Sequence, residues 1–483
     1  MIWHEFRRGF WERFQRMQRR RAGDSRRDWS PTPALVSLLE ERTLPSALLV
    51  TNLNDSGAGS LRSAVATAND SPGADVIRFQ PHLAGTIVLT TGQMEIRDAL
   101  TIDGPGMSRL TISGNFATRV FKMEPGTQLT IDDLTIANSR NTIQDDIGIK
   151  VTRGGAILND GGELTLLRVT MLNNQAIDTR SGSDATRVVG GGAVVNSGNA
   201  KLTASHSLFI GNSVTGGTSY AFGGAIGNVS NSVAIIDDCT FLGNCSSGGG
   251  TSYGGAIGNI GSSQLTVTNS VFDGNSARGT APERDAFGGA IATRPGTVVS
   301  SGSTTTIDRS RFTNNRALGG AGSASQAGGD AGGGALYNVE STLIVQRSQF
   351  VGNQALGGSG KSSGGNAYGG AIDATAVNPS APPLTQISNS QFVANLALSG
   401  SSSNGAGGLA AGGALYNAIG RMELVQDCIV GNVALGGFQG RGIGGGIYNL
   451  ATVTIDQPTR RTGLYGNVAS TSHNNSFGPS TPV

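Results

Sequence analysis

Three adjacent carboxylate pairs are the residues of this chain whose type most invites chemistry: Asp132 and Asp133, Asp145 and Asp146, Asp237 and Asp238. Paired carboxyls can divide general acid and base work across a glycosidic bond when they converge on it. Sequential neighbours on a strand point to opposite faces, so these pairs are expected as solvated corners and not as dyads. They also read as lying in different kinds of segment. Basic partners are scarce, Lys being confined to Lys122, Lys150, Lys201 and Lys361. His4, His82, His206 and His473 show no metal-ligand spacing. Cys239, Cys245 and Cys428 cannot form a disulfide framework. No catalytic residue, metal ligand or cofactor is nominated.

Glycine motifs are equally unproductive. Residues 355–362 nearly match a phosphate-binding loop, but such a loop follows a buried strand and opens a helix. This segment runs from one repeat phrase into another. The glycines at Gly440, Gly442 and Gly445 have dinucleotide spacing yet lead into a strand. Residues 328–333 look like a calcium-binding nonapeptide that does not recur at nine-residue steps.

A ligand could meet one recurring feature. The residue before Gly-Gly-Ala is Phe222, Tyr253, Phe287 and Tyr368 in four repeats, just after a Gly/Ser-rich insertion. Rings stacked on one wall can bind sugar rings as they stack on other flat ligands. The competing role is to shield the corner beneath the insertion. These four are the candidate ligand-binding residues.

The elements that would position them are repeats. Gly-Gly-Ala-aliphatic-x-Asn opens at Gly154, Gly191, Gly223, Gly254, Gly288, Gly333, Gly369 and Gly412, with a variant at Gly444. Each is followed by Phe-x-x-Asn or a close variant, closing at Asn174, Asn212, Asn244, Asn275, Asn315, Asn353, Asn395, Asn432 and Asn467. Such periods mean a stacked array. Between the phrases Leu265 and Val267 alternate with polar neighbours, which is strand period. Three short strands per coil, stacked about 4.8 Å apart, give a parallel β-helix. The position three before the closing Asn then forms an interior column: Met171, Phe209, Phe241, Phe272, Phe312, Phe350, Phe392, Ile429 and Leu464. Two residues earlier a small residue recurs, including Ser270 and Cys239. The Asn columns are expected to be structural, tolerating left-handed backbone and bonding between coils.

Charge separates the ends from the body. Residues 1–29 hold nine Arg, whereas beyond residue 46 there are 25 basic and 27 acidic residues. The body is near neutral, which excludes the basic face of a nucleic-acid binder. Trp3, Phe6, Phe10, Phe14 and Met17 recur at helical intervals among Arg residues. That pattern suits either a basic amphipathic helix on an anionic membrane surface or a disordered leader. No run of about 20 apolar residues is present to span a membrane. Leu61, Ala64, Val65 and Ala68 share one face of a short helix after Ser60, the expected cap of an otherwise exposed β-helix end.

Four stretches and the repeats carry a resemblance. Residues 38–45 are similar to a Leu-Glu-Pro-Arg type motif of large bacterial extracellular proteins, with Glu41 where Pro is preferred. Residues 50–62, 73–79 and 100–106 look like the start of bacterial right-handed β-helix surface proteins. The repeats resemble passengers of polymorphic outer-membrane proteins. This resemblance covers residues 48–467 and implies a pectin-lyase-like fold and an extracytoplasmic, secreted or cell-surface location. It implies no particular activity.

The expectation is an all-β, right-handed parallel β-helix solenoid with a short N-terminal capping helix. Its segments are a basic leader at 1–47, cap and first coils at 48–140, repeat coils at 141–467 and a flexible tail at 468–483. The expected function is a non-catalytic scaffold or adhesion module offering its long face to a polysaccharide or a surface protein. A polysaccharide lyase or glycoside hydrolase with a site on the wall is the alternative, since pectinolytic enzymes share the fold. A structural envelope component is the third reading.

Overall fold

The computed structural model describes residues 47–143, 151–179, 188–296, 302–378 and 380–482. The basic leader, the motif at 38–45 and the pair Asp145 and Asp146 lie outside the described residues.

Successive coils pair in parallel and in register, as Phe241 with Phe272, Phe272 with Phe312 and Phe312 with Phe350. The chain is a right-handed parallel β-helix. Its coil is more elaborate than three strands, because four sheets run along the axis. One coil passes twice through sheet I (Gln264–Thr268 and Val271–Asp273), then through sheet II (Ser276–Gly279), sheet III (Ala286–Phe287) and sheet IV (Ile291–Arg294). The two-residue strands of sheet III are too short for alternation to reveal them.

Identical residues stacked on one another hold the core. The rings from Phe209 to Phe392 lie 4.6 to 4.8 Å apart, within 7° of parallel. All six are fully buried. Strand spacing sets that ring spacing, so the column fills the interior without offset.

The closing Asn residues form an unbroken ladder. Each Nδ2 donates to the Oδ1 of the next coil, from Asn174 to Asn467, at 2.9 to 3.0 Å. Their backbone is not left-handed. The residue before them is, as at Gly274 (φ 63°) and Asn314 (φ 55°). The second Asn column runs Asn159, Asn196, Asn228, Asn259 and then stops at Thr293. There Asn259 donates to Thr305 Oγ1 at 3.0 Å. At the second break, Ala374, Asn338 donates to Thr385 Oγ1 at 3.1 Å.

Two corners need unusual backbone. Gly254 is left-handed (φ 60°), and a side chain on it or on Gly255 would strike neighbouring backbone. The bend inside sheet I is also left-handed, at Asp133, Arg168, His206, Asp238, Asn269, Arg309 and Arg347.

Insertions leave between sheets II and III and stack on one another. Gly320, Gly329, Gly358, Gly365, Gly400 and Gly408 form a chain of backbone hydrogen bonds, each N–H donating to the preceding carbonyl at 2.8 to 3.0 Å. A Cβ on any of the last five would meet a carbonyl of a neighbouring arm.

Helix Leu61–Asp70 buries Leu61, Ala64, Val65 and Ala68, and its Ser60 cap accepts the Ser63 N–H. No helix among the described residues is long and apolar enough to cross a membrane. Residues 468–482, expected to fray, instead add strands to the last coil: Val468 pairs with Val433, Ser476 with Ile447 and Thr481 with Thr454.

Candidate functional site

The Gly-Gly corner bends the chain so that the outer faces of sheets III and IV meet in a groove running along the axis. Alternation decides which residues line it. On sheet III the residue before Gly-Gly faces out, while the one before that, such as Ala286 or Ala331, is buried. On sheet IV the variable residue between the aliphatic and Asn faces out.

All four candidate aromatics lie in this groove. Phe222 is 2% exposed and forms its floor, the ring lying over Gly190, Gly227 and Gly258, where a side chain would collide with it. Tyr253, Phe287 and Tyr368 are half-buried. Sheet IV adds rings that the search for Gly-Gly-Ala neighbours passes over. Tyr337 stacks on Phe287 at 4.5 Å and on Tyr253 at 6.2 Å. Further along, Tyr368, Tyr416, Tyr448 and Phe477 follow one another at 4.7, 5.5 and 4.7 Å. Sheets III and IV together carry rings through eight rungs, from the sheet IV strand Ile226–Val229 to Ser476–Phe477, on the order of 30–35 Å at strand spacing.

On sheet IV, the strand between those of Tyr337 and Tyr416 carries Asp373 in place of a ring. Asp373 is 1% exposed, and its Oδ1 has no hydrogen-bond partner. Its Oδ2 occupies the space a side chain on Gly332 would take. Burial, reinforced by the charge of Asp330, raises the Asp373 pKa well above the usual carboxylate range. Asp285 and Asp330 share the outer face of sheet III. The Asp330 N–H donates to Asp285 Oδ1 at 2.8 Å, and the Asn366 N–H to Asp330 Oδ1 at 2.7 Å. Burial raises the Asp285 carboxyl as well. Burial likewise raises the phenols of Tyr368 and Tyr416.

At the amino-terminal end the groove deepens into a cleft of about 770 Å³, counting space open to solvent. Val188, Val195, Phe222, Val229 and Ile260 supply its apolar wall. Arg294 lies across Tyr253, 4.5 Å from the ring centroid. Burial raises the Tyr253 phenol, and the Arg294 charge opposes that shift.

The described acidic pairs are elsewhere, and they share one repeat position, the bend of sheet I. Asp132 and Asp133 bind Arg168 together at 2.6 and 2.9 Å. The left-handed residue turns both carboxylates outward, so strand alternation does not hold across it. Asp237 accepts from Thr268 and Asn269, and Asp238 lies 3.4 Å from His206. They are links in exposed polar ladders. Residues 357–362 lead from strand Gln354–Leu356 into a glycine arm and no helix. Cys239 is buried in the small column, its thiol pushed up to about 12. No cluster of three metal-ligating residues occurs among the described residues.

No family model matches the chain, and no curated protein matches it. Among solved structures it is similar to a periplasmic alginate epimerase, at 9% identity over 83% of this chain and 79% of that one, with a TM-score of 0.37. It is similar to a Bacillus pectate lyase in complex with trigalacturonate, at 12% identity over 56% and 71%, with a TM-score of 0.23. It is also similar to PfbA, a surface adhesin of Streptococcus pneumoniae, at 12% identity over 90% and 100%, with a TM-score of 0.28. Likeness at this level concerns architecture and leaves the groove to be read from its own residues.

Proposed function

We propose that the protein is an extracytoplasmic, glycan-binding surface module that lays an extended polysaccharide along the groove between sheets III and IV. The observation that carries this reading is the axial line of rings in two clusters, half-buried at Tyr253, Phe287, Tyr368, Tyr416 and Phe477 and buried at Tyr337 and Tyr448. Concave surfaces lined by aromatics with a few convergent polar groups are where ligands bind. A stripe this long fits a polymer better than a small molecule. On a glycan array, Tyr368→Ala with Tyr416→Ala is expected to lower affinity about tenfold or more, at roughly 1 kcal/mol per ring. Retained affinity would remove the groove from the reading. Fractionation tests location: recovery only in cytosol would overturn it.

One observation favours a second reading, a polysaccharide lyase or hydrolase. Asp373 is a buried carboxyl on the sheet IV strand between Tyr337 and Tyr416, and burial raises its pKa, the direction a general acid needs. A reducing-sugar and unsaturated-product assay on the same glycans separates the two. Turnover abolished by Asp373→Asn would replace the binding module with an enzyme; binding without turnover supports the module.

A further inference from the structure

We infer that the amino-terminal end of the groove is a carboxylate-binding subsite built on Arg294, which makes the ligand an acidic polysaccharide of uronate type. The inference rests on reading the groove as a glycan site and names the glycan's class. Arg294 ends the sheet IV strand Ile291–Arg294 and lines the apolar cleft with Tyr220, Phe222 and Tyr253. Its Nε is buried and has no hydrogen-bond partner. Among the described residues no carboxylate forms an ion pair with it. Asp285 is close enough to act on Tyr253, but its Oδ1 is taken by the Asp330 N–H.

A guanidinium carries five donors, stays charged, and loses stability when part of it is buried unpaired. Stacking on the Tyr253 ring holds its plane but satisfies none of those donors. What completes the site is a planar anion that accepts in pairs while an attached ring covers the apolar wall. A sugar carboxylate has that shape, and Arg is the side chain that matches it. The cleft is too apolar to favour a strongly hydrated, multiply charged anion.

Two measurements test this. Protein labelled with 15N is titrated with glucuronate and with glucose while Arg Nε–H signals are followed. One signal, absent from Arg294→Lys, is expected to move with glucuronate and not with glucose. Affinities are then measured for oligogalacturonate, oligomannuronate and hyaluronan fragments, each beside its carboxyl-reduced form. Wild type is expected to prefer at least one acidic form by about tenfold or more. Arg294→Gln should erase that preference and leave the reduced form's affinity unchanged, with Arg294→Lys intermediate. Circular dichroism checks that each variant folds. An unchanged preference in Arg294→Gln, or equal binding of acidic and reduced forms by wild type, overturns the subsite and leaves the groove standing. Absence of binding to every glycan removes both.

Discussion

Asp427 sits in the inward column that Ser270, Ser310, Ser348 and Ser390 fill in earlier coils. It does their work, accepting the Ser390 N–H at 2.8 Å and also the Val425 N–H at 3.0 Å. A hydroxyl does this without charge; a carboxylate does not. Burial pushes the Asp427 carboxyl up from 3.8 to about 7, against the pull of those two N–H groups. The folded state therefore holds a proton that the unfolded chain releases above pH 4. Stability from this residue is full below pH 4, falls by up to about 1.4 kcal/mol per pH unit as pH rises towards 7, and is level above it. Asp427→Ser restores the column residue and should flatten that slope. Denaturant melts of both proteins at pH 4.5, 6 and 8 check it, and a variant that gains nothing at pH 8 contradicts it. Asp373 shifts in the same direction, so the difference between proteins is the quantity to compare.

Among the elements, the second Asn column shows how a broken ladder is repaired. Where Thr293 or Ala374 replaces Asn, the facing core position of sheet I changes from an aliphatic residue to Thr305 or Thr385. The new hydroxyl takes the stranded amide. It does nothing for the following coil, and Asn338 Oδ1 and Asn417 Oδ1 are left buried without partners. Ala374→Asn combined with Thr385→Leu should rejoin Asn338 to Asn417 and gain about 1 kcal/mol in a chemical melt. Ala374→Asn alone should gain less, because Thr385 occupies the same space. Columns of this kind were readable in the sequence, since in-register stacking repeats the residue itself: Phe272, Asn275 and Ser270 all announced their places. The groove was readable only in part. Phe222, Tyr253, Phe287 and Tyr368 precede a fixed phrase. Tyr337, Tyr416, Asp373 and Arg294 belong to variable positions of sheet IV. Alternation marks those positions as outward, but whether outward means convex wall or concave groove depends on the left-handed turn at residues such as Gly254.

At the scale of the molecule, each coil pairs its strands only with its neighbours, so stability is close to a sum along one axis. Phe312 lies in the middle of the ring column, with Phe272 and Phe350 stacked on its two faces at 4.7 and 4.8 Å. Phe312→Ala should cost about 3–5 kcal/mol. Because the cavity lies in mid-array, calorimetry should show the single transition broadening or dividing, as the coils on either side unfold separately. One unchanged transition would mean that the four sheets couple the array more strongly than its core does. The glycine arms tie adjacent coils in another way. Gly358 bonds back to Gly329 and Gly400 to Gly365, so each of these insertions is held by its neighbour, while Gly408 bonds to Gly400 within one arm. Shortening one of them alone would strand the donors of its neighbour. The edge these arms build is therefore a stack in which each loop is the support of the one beside it.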